Sequence, residues 1–278
     1  MTTMSEPAVQ YGELYDIMLR HSSASWIDRS TVLEHIGTRM RIEDRARTLD
    51  MGAGGGDGAA WLLGYLPRAT LIAADPNPLC LQRLARRFHG DARATIVETT
   101  VERWLRTSAD TGFDFILLLS MLYHVPLDTW AEVITRLTDR LSPSGVAVVT
   151  MKDPASGCNQ LVRHFGGQPL DITSFFETYH PPDRHVVHMM MPTRVETDSL
   201  EELERILRFM LADVALEQSV SSEAIRAYAA EHFDRGDGRW EVDIPEHLYV
   251  VTRDAATAHR IAEGGRFAAR PLGAGRTA

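Results

Sequence analysis

The sequence is poor in cysteine: only Cys80 and Cys158 occur in 278 residues. Two thiols exclude a disulfide framework and a four-cysteine zinc site, and they accord with a reducing compartment. Long apolar runs are also missing. The longest, 115–123, is far short of the roughly 20 residues a spanning helix needs, so no membrane partner is expected. Positive charge is scarce. Lys and Arg number 29 against 38 Asp and Glu, a formal net charge of −9. Such a chain gains nothing from phosphate contacts, so no nucleic-acid partner is expected. Residues 1–9 contain Glu6 and Pro7 and no apolar run, so no signal peptide is expected. Against these absences stands an ordinary hydrophobic fraction of 44%, enough at this length to bury a core without staples. The expectation is a soluble cytoplasmic protein, monomer or homodimer.

The chain is organised by a change of rhythm. Residues 11–36 read as helical, with Tyr11, Leu14, Tyr15, Met18 and Leu19 at helix spacing. Ser22, Ser23 and Ser25 offer caps for a second helix, which Gly37 is expected to end. From residue 48, short apolar runs alternate with amphipathic stretches. Strands are expected at 48–51, 70–74, 94–97, 113–119 and 146–151, and helices at 57–66, 78–88, 101–107 and 128–141, with Asp128 as a cap. This alternation means an α/β fold with a mainly parallel, Rossmann-like sheet. Its strands are buried on both faces, which explains the continuously apolar 115–119. Beyond residue 151 the rhythm breaks. Short helices are expected at 158–165 and 172–178, an edge strand at 186–195 interrupted by Pro192, helices at 199–216 and 222–233, and closing strands at 240–244 and 248–252. The expected division is a helical cap over 1–44, a core over 45–195, a helical cap insertion over 196–239, closing core strands over 240–252 and a C-terminal tail over 253–278 that is loose from about Gly264.

The strongest local signal is the run from Thr48 to Asp57, with Asp50, Gly52, Gly54, Gly55 and Gly56. It follows a predicted strand and opens a predicted helix. Glycine there lets the backbone turn sharply and approach a ligand, which meets N–H groups and the helix N-terminus. Asp75 ends the next strand, about 20 residues on, where a carboxylate can accept both hydroxyls of a ribose. The third-glycine place of a dinucleotide site is taken by Asp57, and Asp50 stands just upstream. Acidic groups repel a pyrophosphate and attract a cation, which favours the sulfonium and ammonium of S-adenosylmethionine. Asp57 is equally suited to capping the helix.

At this point the sequence resembles the class I S-adenosylmethionine-dependent methyltransferases. The resemblance implies that Gly52, Gly54 and Gly56 lie along the methionine portion and that Asp75, followed by Pro76, holds the ribose. It places Thr99 and Thr100 near the adenine, and Leu119 and Ser120 beside the cofactor. A closer resemblance, in pieces from residue 11 to 166, is to histamine N-methyltransferase. These are 11–15, 19–23, 114–125 and 156–166. It implies an acceptor pocket lined by Tyr11, Tyr15, Ser120, Tyr123 and His124. His124 would then be the candidate base, with Tyr123 and Tyr15 as orienting groups. The departures matter. The family's imidazole-binding carboxylate falls at Ala24, its amide partner at Ser120, and two pocket tryptophans near Cys158 and Val162. A site built on hydrogen bonds rejects ligands that cannot make them, so a different acceptor is implied.

Methyl transfer from a sulfonium is an in-line displacement, and the protein mainly aligns the partners and excludes water. No metal is expected, because the segment 120–124 offers no carboxylate pair for magnesium. His185 and His188 fall on opposite faces of their predicted strand. An Asn-Pro-Pro-Tyr-like turn, expected of a nucleic-acid amino-methyltransferase, is absent after the fourth strand. Three readings remain: a methyltransferase acting on an amine or heteroaromatic nitrogen of a small molecule, one acting on oxygen or a carboxylate of an acidic metabolite, and a non-catalytic binder of S-adenosylmethionine or S-adenosylhomocysteine. Arg163, His164, Arg184 and His185 are the candidate groups for an acidic acceptor.

Overall fold

The computed structural model describes residues 14, 17–18, 20–21, 23–40, 42, 45–212, 214–263 and 270–272, with the backbone alone for 23–29 and 270–272. Two compact units emerge. One comprises Ser30–Met151, Ser174–Met190 and His247–Ala278, and the other Met1–Arg29, Lys152–Thr173 and Met191–Glu246.

The first unit is built on a sheet of eight strands: β1 Arg47–Met51, β2 Thr70–Asp75, β3 Ala94–Glu98, β4 Phe113–Leu119, β5 Leu141–Lys152, β6 His185–Met191, β9 Glu246–Thr252 and β10 Arg270–Leu272. Their order is β10-β6-β9-β5-β4-β1-β2-β3. Pairing is parallel from β3 through β5 and antiparallel between β10 and β6, so the sheet is mixed. Between strands lie helices α2 Asp57–Tyr65, α3 Pro78–Arg87, α4 Val101–Thr107 and α5 Trp130–Thr138. This is the Rossmann-like arrangement expected from the alternation. β4 is buried along nearly its whole length, as its unbroken apolar run requires. β9 runs against β5. The Asp153 N–H donates to the Pro245 carbonyl at 2.7 Å at one end. The Thr252 hydroxyl donates to the Gly145 carbonyl at 2.9 Å at the other.

Several boundaries differ from expectation for identifiable reasons. Helix α1, Ser23–Met40, runs through Gly37 instead of ending there. Gly37 serves packing: a Cβ at that position would lie 2.5 Å from Cε1 of Tyr65. The expected helix 128–141 is shorter. Asp128 lies within a 3-10 turn, Leu127–Thr129, and Thr129 precedes α5 without a side-chain cap. The C-terminal tail, expected to be loose from about Gly264, carries a helix before that point and a strand beyond it. Asp254 caps α10, Ala255–Ala262, accepting from Ala256 and Thr257 N–H, and Arg270–Leu272 pairs with β6.

The second unit contains α6 Gly157–His164, α8 Leu200–Ala212 and α9 Ser222–His232, with β7 Arg194–Thr197 paired antiparallel to β8 Trp240–Asp243. α7, Ile172–Thr178, spans the junction in the chain. Pro192 therefore separates two strands that belong to different sheets, and β6 lies between β9 and β10 instead of at an edge. β8 likewise pairs with β7, so of the expected closing strands only β9 joins the core sheet. The core expected over 45–195 accordingly yields 152–173 and 191–195 to this unit. Leu161, Val162, Leu203, Ile206, Leu207, Met210 and Ile225 form its apolar core. Glu204 is buried among them. It is compensated by Arg208 at 3.2 Å and Arg226 at 2.7 Å, as a buried carboxylate requires.

Gly145 marks a tight point of the first unit. A Cβ there would run into the backbone carbonyl oxygen of Phe113, which cannot swing away. Gly145→Ala should lower unfolding stability by about 1–3 kcal/mol, measured by urea denaturation. Gly64→Ala, at an open helical position, should be neutral or stabilising.

Candidate active site

The glycine run forms the turn between β1 and α2. Gly52 has φ +74° and lies against the turn after β4: a Cβ on it would sit 2.6 Å from Cβ of Met121. Gly56, at φ +84°, is the residue before α2 and offers no side-chain cap. L side chains rarely adopt such backbone, so these positions demand glycine. The loop is tied to β2. Gly52 and Ala53 N–H both donate to the Ala74 carbonyl, at 2.8 and 3.0 Å.

Asp75 is the centre of this arrangement. Its carboxylate accepts from Gly54 N–H at 2.8 Å and from Asn77 N–H at 2.8 Å. The Cys80 side chain bonds to it as well. Burial holds the Asp75 carboxyl above the usual carboxylate range, opposed by those N–H groups, the charge of His124 and the Cys80 thiol. Asn77 also caps α3, accepting from Leu79 N–H at 2.9 Å, with Pro78 in the first turn. Asn77 and Cys80 were missed by sequence reasoning. The legible part was Asn before Pro, a cap signal. That the same residue's N–H serves Asp75 depends on the bend at Pro76, which is exposed between them.

Asp50 stands at the end of β1 beside the start of α2. It is buried under the loop and accepts from Ala59 N–H in the first turn of α2. It thereby satisfies a helix N–H from a neighbouring strand. Burial, opposed by the Ala59 bond and aided by the charges of Asp75 and Asp57, pushes its carboxyl up to about 7. A Cβ on Gly58 would lie 3.0 Å from Asp50 Oδ2 and 3.1 Å from Leu119 Cδ1, so these groups are packed together. Asp57 does not cap α2: it is the helix's first residue and pairs with Arg87 at 2.6 Å.

Two further strand ends meet here. Thr99 is buried and its N–H donates to the Asp75 carbonyl at 3.3 Å. Thr100 caps α4, accepting from Arg103 N–H at 3.3 Å. After β4, half-buried Leu119 leads into Ser120, which has φ +54°, and whose N–H is shared between the Thr150 carbonyl and hydroxyl, each at 3.1 Å. A 3-10 turn, Leu122–His124, follows. Tyr123 is half-buried and His124 exposed. Of the predicted residues, Asp50, Gly52, Gly54, Gly56, Asp75, Pro76, Thr99, Thr100, Leu119, Ser120, Tyr123 and His124 thus lie on the loop, its strand ends and the turn after β4. Tyr11 and Tyr15 lie outside the described residues. Cys158 and Val162 are core residues of the other unit. A cleft of about 460 Å³ beside β3, lined by Ile72, Val97, Arg103 and Trp104, shares only Thr99 with this set. The loop geometry, not that cleft, defines the site.

Residues 48–145 match a family model described as a methyltransferase domain. No curated protein matches the sequence. Among solved structures, the fold is similar to the YcgJ protein of Bacillus subtilis, at 14% identity over 80% of this chain and 99% of that one, with a TM-score of 0.53. It is similar to a protein described as a methyltransferase from Bacillus halodurans C-125, at 13% identity over 80% and 99%, TM-score 0.52. A protein described as a sarcosine dimethylglycine methyltransferase from Galdieria sulphuraria gives 14% identity over 81% and 84%, TM-score 0.50.

The state of Asp50 has a measurable consequence. Its carboxyl is raised from 3.8 to about 7 in the folded chain, so the folded state holds the proton more tightly than the unfolded one. Stability therefore falls as pH rises from about 4 to about 7. Ligand-free Asp50→Asn and wild type should be equally stable near pH 4. By pH 7.5 the variant should be the more stable, by on the order of 2–4 kcal/mol. Urea denaturation across that range checks it.

Proposed function

We propose that this chain, an S-adenosylmethionine-dependent methyltransferase with its catalytic domain over residues 48–145, methylates a small molecule at an amine or heteroaromatic nitrogen. One observation carries the reading of the site. The Asp75 carboxylate is held by Gly54 and Asn77 N–H groups at the end of β2, with the glycine turn closed against it. That is the chemistry of a ribose acceptor beside a backbone cradle. The residues fit the donor. Gly52 and Gly56 leave room where a side chain would collide. The ionised Asp75 carboxylate makes the pocket negative, which suits a cationic ligand.

When bound, S-adenosylmethionine supplies a methyl group already activated on a sulfonium. The chain's own residues then have three tasks. Asp75 would take the ribose hydroxyls and fix the rotation of the adenosyl group. Thr99 and Thr100 would border the adenine, and Leu119 and Ser120 the reacting end. Tyr123, on the turn after β4, would be the residue for the acceptor. Alignment of this kind supplies about 7–11 kcal/mol in favourable intramolecular cases, so no strong base is needed. An amine arriving neutral sheds its proton after transfer.

The nitrogen reading draws on the resemblance to histamine N-methyltransferase over residues 11–166. It also draws on the likeness to the Galdieria sulphuraria protein, which is described as a sarcosine dimethylglycine methyltransferase. Histamine itself is not the acceptor in this reading, since Ala24, Cys158 and Val162 stand where the imidazole-gripping groups would be. An acidic acceptor finds less support. Arg184 is committed to Asp139 and to the Thr138 hydroxyl, and Arg163 donates to the Pro154 carbonyl at 2.7 Å.

Calorimetric titration with S-adenosylhomocysteine, S-adenosylmethionine and NAD tests the site. Both adenosyl ligands should bind and NAD should not. Asp75→Ala should weaken them about 10- to 100-fold, the loss of charge-assisted hydrogen bonds. A screen of amines, imidazoles and carboxylic acids should then give turnover on a nitrogen acceptor. Turnover confined to carboxylic acids would overturn that part of the reading.

A further inference from the structure

We infer that Thr150 is a positioning residue of the cofactor site: its hydroxyl holds Ser120 in the left-handed conformation that places the turn after β4. This rests on the reading of the glycine turn and Asp75 as the S-adenosylmethionine site.

Three non-glycine residues among those described have a positive φ: Ser120, Asp183 and Ala215. Asp183 and Ala215 lie in turns, the first before β6 and the second after α8. Ser120 takes that conformation, at φ +54°, where a buried strand leaves the sheet. A Cβ crowds the following carbonyl there, so the conformation needs support. Asparagine and aspartate reach it through a hydrogen bond of their own side chain. Ser120 does not, since its hydroxyl makes no hydrogen bond among the described residues.

The support comes from β5. Leu119, the last residue of β4, is in register with Thr150. The Ser120 N–H then donates to the Thr150 carbonyl and to the Thr150 hydroxyl, each at 3.1 Å. A parallel ladder supplies the carbonyl bond whatever the residue type. The hydroxyl bond is threonine's own contribution. Thr150 is fully buried, so no water replaces that acceptor when it is lost. Val146, Val148 and Val149 precede it on the same strand. Valine has the same branched shape and suits a strand equally well, so the strand alone gives no reason for the hydroxyl.

What Ser120 does is felt at the glycine turn. Met121 follows it, and a Cβ on Gly52 would lie 2.6 Å from Met121 Cβ, so the two turns are in close contact. The His124 N–H donates to the Met121 carbonyl at 3.1 Å and closes the 3-10 turn that carries Tyr123. A Ser120 that relaxes out of the left-handed region shifts Met121 against Gly52 and the Tyr123 turn with it. The affinity for the cofactor then falls by the fraction of molecules that keep the turn in place.

A double-mutant cycle read by calorimetry with S-adenosylhomocysteine tests this without knowledge of the acceptor. The proteins are wild type, Thr150→Val, Ser120→Gly and the double variant, each checked for fold by circular dichroism. Thr150→Val should weaken binding about two- to tenfold, the worth of one hydrogen bond. Thr150→Ser, which keeps the hydroxyl, should restore the affinity. In the Ser120→Gly background the left-handed conformation needs no support, so the loss caused by Thr150→Val should disappear. A threonine that serves packing alone gives a lower urea midpoint with affinity intact, or the same loss of affinity in both backgrounds. Either result overturns the inference, as does a Thr150→Ser that binds no better than Thr150→Val. Should Thr150→Val fail to fold, Thr150→Ala against Thr150→Ser makes the same comparison. Wild type that binds no adenosyl ligand would be a different failure, that of the site reading itself. Hydrogen exchange of the Ser120 amide then still tests the hold of Thr150: it should be faster in Thr150→Val than in wild type, and equal rates would overturn the inference.

Discussion

The two bonds that Asp75 accepts from Gly54 and Asn77 N–H, each 2.8 Å, are the contacts on which the site depends. One N–H belongs to the glycine turn after β1, the other to the start of α3 after β2. A single carboxylate thus sets the distance between two strand-to-helix connections. Both bonds use backbone donors that would otherwise be orphaned at the end of a strand. The cost is a buried charge, and the structure meets it with several donors rather than one salt bridge. The same carboxylate keeps unused lone-pair directions for a ligand's hydroxyl groups.

A second carboxylate, Asp50, lies behind the first and shapes the field. It accepts from Ala59 N–H, and a Cβ on Gly58 would meet its carboxylate together with Leu117 and Leu119. Two acids in one pocket repel each other, and the charge of Asp75 adds to burial in pushing Asp50 toward its neutral form. That unfavourable pairing is relieved by a positive ligand. A pocket of this kind discriminates by charge before it discriminates by shape, and it disfavours a pyrophosphate for the reason it favours a sulfonium.

Much of the first unit was legible in the sequence because its strands are short, buried on both faces and separated by helices of ordinary length. β4 was read to the residue, as was α4. The glycine cluster with Asp75 was legible because spacing and residue type both carry the chemistry. What escaped was tertiary. Gly37 looks like a helix stop by composition, yet it is a contact surface for the Tyr65 ring. Asp57 looks like a ligand for a cation, yet Arg87, distant in sequence, takes it. The pairing of β8 with β7 instead of with the core depends on long-range contacts that no local pattern encodes. Periodicity reads which face of an element is apolar; it does not read which partner covers it.

The turn after β4 shows why site residues are harder to read than core residues. Ser120 adopts a left-handed conformation that costs a residue with a Cβ roughly 1–2 kcal/mol. Glycine would adopt it without that cost, and nothing local forces the choice of serine. The strain persists because Thr150 on the paired strand holds the Ser120 N–H with two acceptors at once. Strain that its surroundings over-determine is usually part of a site. Here it redirects the chain just as it leaves the sheet, so that Met121 turns under Gly52 while the turn bearing Tyr123 and His124 stays beside the loop. The glycine turn, the strained serine and the 3-10 turn are therefore one mechanical unit. Its rigidity, more than the strength of any single catalytic group, is what an in-line transfer between two aligned partners demands.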